Sequence, residues 1–242
     1  MRKSVYLILG ACLLCQVAIG QDSVPDTGLT RIAYNNAISF YHQFTNKTAR
    51  LYNGIHHLGY PNHIEGFAYF PDNAFHTGSV VYDGIRYSNV PMKYDAFQDE
   101  LVILHFSRLA MSLHSEKVKE FTYSGRRFIR LVPDSVRYSW LFTGFYEELH
   151  KGPRVTLLAR RKKFIEEKVT DQLEQRFILS EFYFIHRDDT WYVVRGFKSL
   201  LQILHEHARE IRQYLKKNKM RYRKHREAVI IMAVQHFEAL KQ

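Results

Sequence analysis

A chain of 242 residues, 46% hydrophobic and 24% charged, has the composition of a folded globular protein, which excludes a disordered or low-complexity chain and leaves room for one large domain or two small ones. The formal net charge is +11, placed unevenly: residues 1–20 carry +2, residues 21–150 sum to −1 and residues 151–242 to +10. The basic character belongs to the C-terminal part and points to an anionic partner or surface there, with plain solubility as the competing explanation.

Residues 1–20 read as a signal peptide. Arg2 and Lys3 precede an uncharged apolar run, and Ala18-Ile19-Gly20 offers small residues at −3 and −1 before the polar Gln21. The competing readings are an uncleaved anchor helix and a lipidation box at Cys12. Cys12 and Cys15 both lie inside this segment, so a mature chain starting at Gln21 has no disulfide, thiolate nucleophile or cysteine-ligated metal. Beyond the signal no stretch reaches transmembrane length.

Along 21–242 the pattern predicts a single α+β domain. Ala33, Ala37, Phe40, Tyr41 and Phe44 recur at helical spacing and predict an amphipathic helix over 30–45. Asn46-Lys47-Thr48 matches a glycosylation sequon, without consequence in a bacterial cell. Residues 52–77 read as irregular. From 78 to 195 short β-rich runs recur about every ten residues, with turns at Asp83-Gly84, Ser124-Gly125 and Arg187-Asp188-Asp189. They predict an antiparallel meander or barrel-like sheet, with a helix or turn over 140–152. Residues 198–240 predict a helical hairpin: Leu200, Leu204, Ala208, Ile211 and Leu215 form one apolar stripe, and a second helix, apolar nearly all round, follows.

Motifs for chemistry are sparse. G-x-S-x-G, H-E-x-x-H, S-x-x-K and the phosphate-binding P-loop are all missing, and no cofactor is expected. His56, His57, His63 and Glu65 fall within ten residues and have the ligand types zinc accepts, at a spacing that matches no compact zinc motif. They are the candidate metal site behind an alternative reading, a metal- or carboxylate-dependent periplasmic hydrolase. The strand aromatics are assigned to core packing before a ligand pocket.

The strongest surface signal runs from 216 to 226, "KKNKMRYRKHR", where seven of eleven residues are Lys or Arg. Arg212, Lys216, Lys217, Lys219, Arg221, Arg223, Lys224 and Arg226 are the candidate anion-binding residues. Export argues against nucleic acid as the partner and for an anionic envelope component or an envelope protein. Lys216 and Lys217 are placed in the last turn of one helix, capped by a left-handed Asn218. Arg221 to Arg226 open the next helix, where cations oppose the dipole.

The segments "LYNGIHHLGY", "GSVVYDGIRYSNVPMKYD", "VKEFTYSGRRFIRL", "GFYEELHKG" and "LKKNKMRYRK" together resemble a group of uncharacterised exported proteins of Bacteroidetes-type bacteria. The resemblance rests on glycine turns and aromatic strands. It implies bacterial export and carries over no catalytic residue. The expectation is an exported envelope protein with a non-enzymatic binding or structural role, or a subunit of an outer-membrane assembly.

Overall fold

A computed structural model describes residues 32–34, 36–37, 50–169 and 173–240. The chain divides into two compact units, Met1–Phe44 and Thr45–Gln242. Of the first, the described residues 32–34 and 36–37 are helical and exposed. The predicted signal, the rest of the 30–45 helix and the sequon lie outside the described residues.

Among its described residues the second unit is built on twelve strands: β1 (Ile55–His56), β2 (Tyr69–Phe70), β3 (His76–Tyr82), β4 (Ile85–Asp95), β5 (Glu100–Leu104), β6 (Ala110–Ser112), β7 (Val118–Tyr123), β8 (Arg126–Leu131), β9 (Gly144–Lys151), β10 (Thr156–Val169), β11 (Leu173–Arg187) and β12 (Thr190–Val193). They form one antiparallel sheet in the order β1-β6-β5-β4-β3-β7-β8-β9-β10-β11-β12, with β2 also paired to β4. Three α-helices follow among the described residues: α1 (Phe197–Ile203), α2 (Ala208–Lys217) and α3 (Arg226–Ala239).

The three predicted hairpin turns form where left-handed backbone is available. Asp83-Gly84, Ser124-Gly125 and Asp188-Asp189 all have positive φ at both positions, the geometry that matches the twist of two paired strands. The sheet is not a barrel. Its terminal strands are only two and four residues long and do not pair with each other. It curls far enough for Lys163 N–H to donate to Ala96 O at 2.9 Å, yet no ladder forms there.

Three further expectations are corrected. Residues 144–151 are strand β9, not helix or turn. Phe145 and Glu147 point to one side and Tyr146 to the other, and all three are buried, so both faces need apolar cover and helical periodicity disappears. Residues 52–77 are not wholly irregular, since β1, β2 and the start of β3 lie there. The first C-terminal helix is broken by a 3-10 turn at His205–His207, although Leu200, Leu204, Ile211 and Leu215 of the predicted stripe are all buried.

A smaller cluster of Leu141, Tyr146, Leu158 and Phe184 covers one face of the sheet, and the main core lies along the other. Around β3–β9 it is aromatic, with Tyr94, Phe121, Phe128 and Phe145 in mutual contact. Around β9–β11 the same face meets the helices through Leu157, Tyr183, Ile185, Ile211, Val229 and Phe237. Most strand aromatics pack as expected; Phe182 and Tyr192 are partly exposed instead.

Glu238 on α3 fastens the helical layer to the sheet. Its Oε1 accepts from the backbone N–H of Arg154 at 3.0 Å and of Val155 at 2.7 Å, in the turn that feeds β10. Glu238→Ala leaves two backbone donors without that acceptor. We predict a loss of about 2 kcal/mol in urea denaturation, within the cost of an unmade buried hydrogen bond.

Candidate functional site

Two places gather side chains that the fold alone does not explain. The first is the junction between α2 and α3. Helix α2 presents Arg212 and, in its last turn, Lys216, and the chain then turns through residues 218–225 before α3 begins. Asn218 ends α2 without left-handed backbone, its side-chain amide donating to Tyr214 O at 2.9 Å; the left-handed residue is Lys219, at φ 56°. That reversal turns Lys219, Arg221 and Lys224 back toward α2. Together with Arg212 and Lys216 they surround a cleft of about 720 Å³ whose apolar lining is Phe197, Leu215 and Met220.

Five of the eight predicted anion-binding residues thus converge, and Lys217, Arg223 and Arg226 do not line the cleft. None of the five forms an ion pair with a carboxylate among the described residues, so five exposed cations are left facing one space. Arg221, Arg223 and Lys224 precede α3 instead of opening it, which removes the expected conflict with its dipole. Only Arg226 lies in its first turn, beside Glu227. Tyr222, inside the basic run, packs its ring on Phe197 at 5.8 Å and is not presented as a stacking platform.

The second place is the other face of β4–β6. Opposite the aromatic core, this face carries Lys93, Asp95 and Ser112, all buried under residues 57–77. Asp95 Oδ1 accepts from the backbone N–H groups of Phe97 and Gln98, at 2.9 Å each, and Oδ2 accepts from Tyr60 Oη–H at 2.6 Å. Lys93 Nζ lies over the Tyr69 ring, 3.4 Å from its centre, and donates to Asn73 Oδ1 at 3.2 Å. His57 is held at both nitrogens: Nε2 is 2.8 Å from Tyr69 Oη and Nδ1 is 3.1 Å from Ser112 Oγ. Nε2 also stands 3.9 Å from Asp95 Oδ2.

Burial dominates the titration here. It lowers the pKa of His57 against the opposing pull of Asp95, lowers that of Lys93, and takes Lys163 down to about 8. It also pushes Tyr69 up to about 12 and Tyr60 higher still. His57 and Ser112 line a cleft of about 370 Å³ together with Ile55, Leu58, Gln98 and His114.

The four candidate metal ligands do not come together. His57 is occupied as described, His63 Nε2 meets Gln175 Oε1 at 3.1 Å, Glu65 pairs its backbone with β11, and His56 is exposed on β1. Among the described residues no group of three or more His, Cys, Asp or Glu could hold a metal ion. Sequence reasoning missed Lys93, Asp95 and Ser112, because strand alternation alone assigns that face to solvent. Among the described residues no helix is long and apolar enough to cross a membrane. No family model matches the chain, and neither a curated protein nor a solved structure matches it.

Proposed function

We propose that this is an exported binding protein that takes an anionic ligand with an apolar portion, such as a phosphate-bearing lipid headgroup of the cell envelope, in the cleft between α2 and the loop that leads to α3. One observation carries the reading: five cations without carboxylate partners converge on one concavity with an apolar lining. Cations that serve solubility alone spread over a surface and mix with acidic residues. A concave wall of one sign attracts and orients an anion, while the Phe197, Leu215 and Met220 side chains accept the methylenes beside it. The basic, apolar and small-residue pattern of residues 1–20 supports export, which places the ligand in the envelope.

The test is co-sedimentation with phosphatidylglycerol vesicles, using phosphatidylcholine vesicles as the control. Each Lys or Arg near an anionic surface contributes about 1 kcal/mol, so the triple variant Lys219→Glu, Arg221→Glu, Lys224→Glu loses at least about 100-fold in affinity. Binding by the native chain weakens steeply between low and high salt. Binding that ignores both changes would sink the proposal.

A further inference from the structure

The buried face of β4–β6 is arranged for more than packing. Register places Ile55 on β1 opposite Ser112 on β6, and His57, two residues beyond Ile55, returns to the same side. Ser112 and His57 therefore meet on the wall of the 370 Å³ cleft. Tyr69 on β2 lies opposite Asp95 on β4, and its hydroxyl reaches the far nitrogen of His57. The result is a hydroxyl, an imidazole and an orienting phenol in sequence, backed by a carboxylate with no solvent exposure. This is the general logic of an activated nucleophile: nucleophile and base within hydrogen-bond reach, and the base oriented by a third group.

We propose that Ser112 and His57 form a nucleophile–base pair that hydrolyses small acyl esters in this cleft. With the proton on Nε2 given to Tyr69 Oη, Nδ1 is free to accept from Ser112 Oγ–H. As Oγ bonds to the ester carbonyl carbon, its proton passes to His57 Nδ1 and the carbonyl electron pair moves onto oxygen. Collapse of that adduct breaks the bond to the leaving alcohol, which takes the proton from His57. A water molecule then repeats the sequence on the acyl-serine and releases the acid. Gln98 and His114 line the same cleft, beside the space where the oxyanion would develop. The exposed side chains of Ile55 and Leu58 suit a short apolar acyl group.

His57 acts only as the neutral base. The groups facing it are Lys93 and Asp95 from β4, Glu100 from β5, His56 from β1, Tyr69 from β2 and the ring of Tyr60. Burial outweighs the carboxylates among them, so the base stays neutral into mildly acidic solution.

A fluorophosphonate probe on the full chain, with the adduct mapped by mass spectrometry, tests this without any substitution. The expected adduct is on Ser112, formed at a rate whose acid limb has its midpoint below the ordinary histidine value of about 6.5. His57→Gln slows labelling by about 100-fold or more. Tyr69→Phe, a milder change to the positioning phenol, slows it less and moves the pH midpoint. An adduct on another serine, no adduct at all, or labelling that proceeds unchanged in His57→Gln and Tyr69→Phe overturns the proposal. A merely structural Ser112–His57 hydrogen bond predicts that unreactive outcome.

Discussion

Arg161→Ala is expected to destabilise the second unit by about 3–5 kcal/mol, the cost of removing one partner from a buried ion cluster. Arg161 projects from the middle of β10 and is about 1% exposed. Its Nε donates to Glu147 Oε2 at 2.7 Å, and Nη1 meets Glu181, its register partner on β11. Nη2 stands 2.5 Å from Glu227 Oε2 on α3, a charge contact without hydrogen-bond alignment. Arg126 from β8 binds the other oxygen of Glu147 at 2.5 Å. The guanidinium also lies over the rings of Phe70 and Tyr183, one from each part of the core. Burial alone would discourage its charge; three carboxylates outweigh burial and raise its pKa above the ordinary arginine value.

Removing Arg161 leaves Glu147 with Arg126 alone and takes the cation from Glu181 and Glu227, where the aromatic and helical parts of the core meet. For a unit of about 200 residues each kcal/mol shifts the Tm by about 2–4 °C, so a fall of about 10 °C is expected in calorimetry. The quadruple variant Arg161→Met, Glu147→Gln, Glu181→Gln, Glu227→Gln recovers most of it, because the cost lies in uncompensated charge and not in lost volume. A single Arg161→Ala change costing less than about 1 kcal/mol would show the cluster to be solvated and its pairing unimportant.

Gly78→Ala is expected to cost about 3 kcal/mol or more, for a steric reason. Gly78 sits where β3 pairs with β4 on one side and β7 on the other, beside a register shift before Val80. A Cβ there would stand 2.2 Å from Thr122 O, 2.8 Å from Tyr123 Cβ and 3.1 Å from Met92 Sδ. The first is backbone of a central strand and cannot yield without moving the ladder, so the penalty reaches the upper end of overpacking. Gly84→Ala makes the contrast. Its Cβ would meet nothing within 4 Å, and the cost is only the left-handed backbone at φ +77°, about 1 kcal/mol. Equal midpoints for the two variants in urea would contradict the packing argument.

The β-hairpins, the aromatic core and the basic run were legible from residues 83–84, 124–125, 188–189 and 216–226, because each depends on local backbone preference or on composition. A turn needs left-handed backbone at two adjacent positions, and an apolar stripe needs only a repeat. Strand β9 escaped because burial on both faces erases alternation. Sheet closure escaped because it depends on which strands pair, and no local pattern encodes the short terminal partners β1 and β12.

The candidate sites divide along the same line. Sequence by itself determined that the C-terminal part carries a dense set of cations, since charge is a property of residues and not of their arrangement. Tertiary structure decided that five of them share one cleft while three point elsewhere, because the left-handed turn at Lys219 sets their direction. It also decided that Ser112, His57, Tyr69 and Asp95, spread over nearly forty positions from 57 to 95 and beyond to 112, stand in one buried row. Cross-strand register and a covering loop did that, and both are long-range pairings that neither propensity nor periodicity can express.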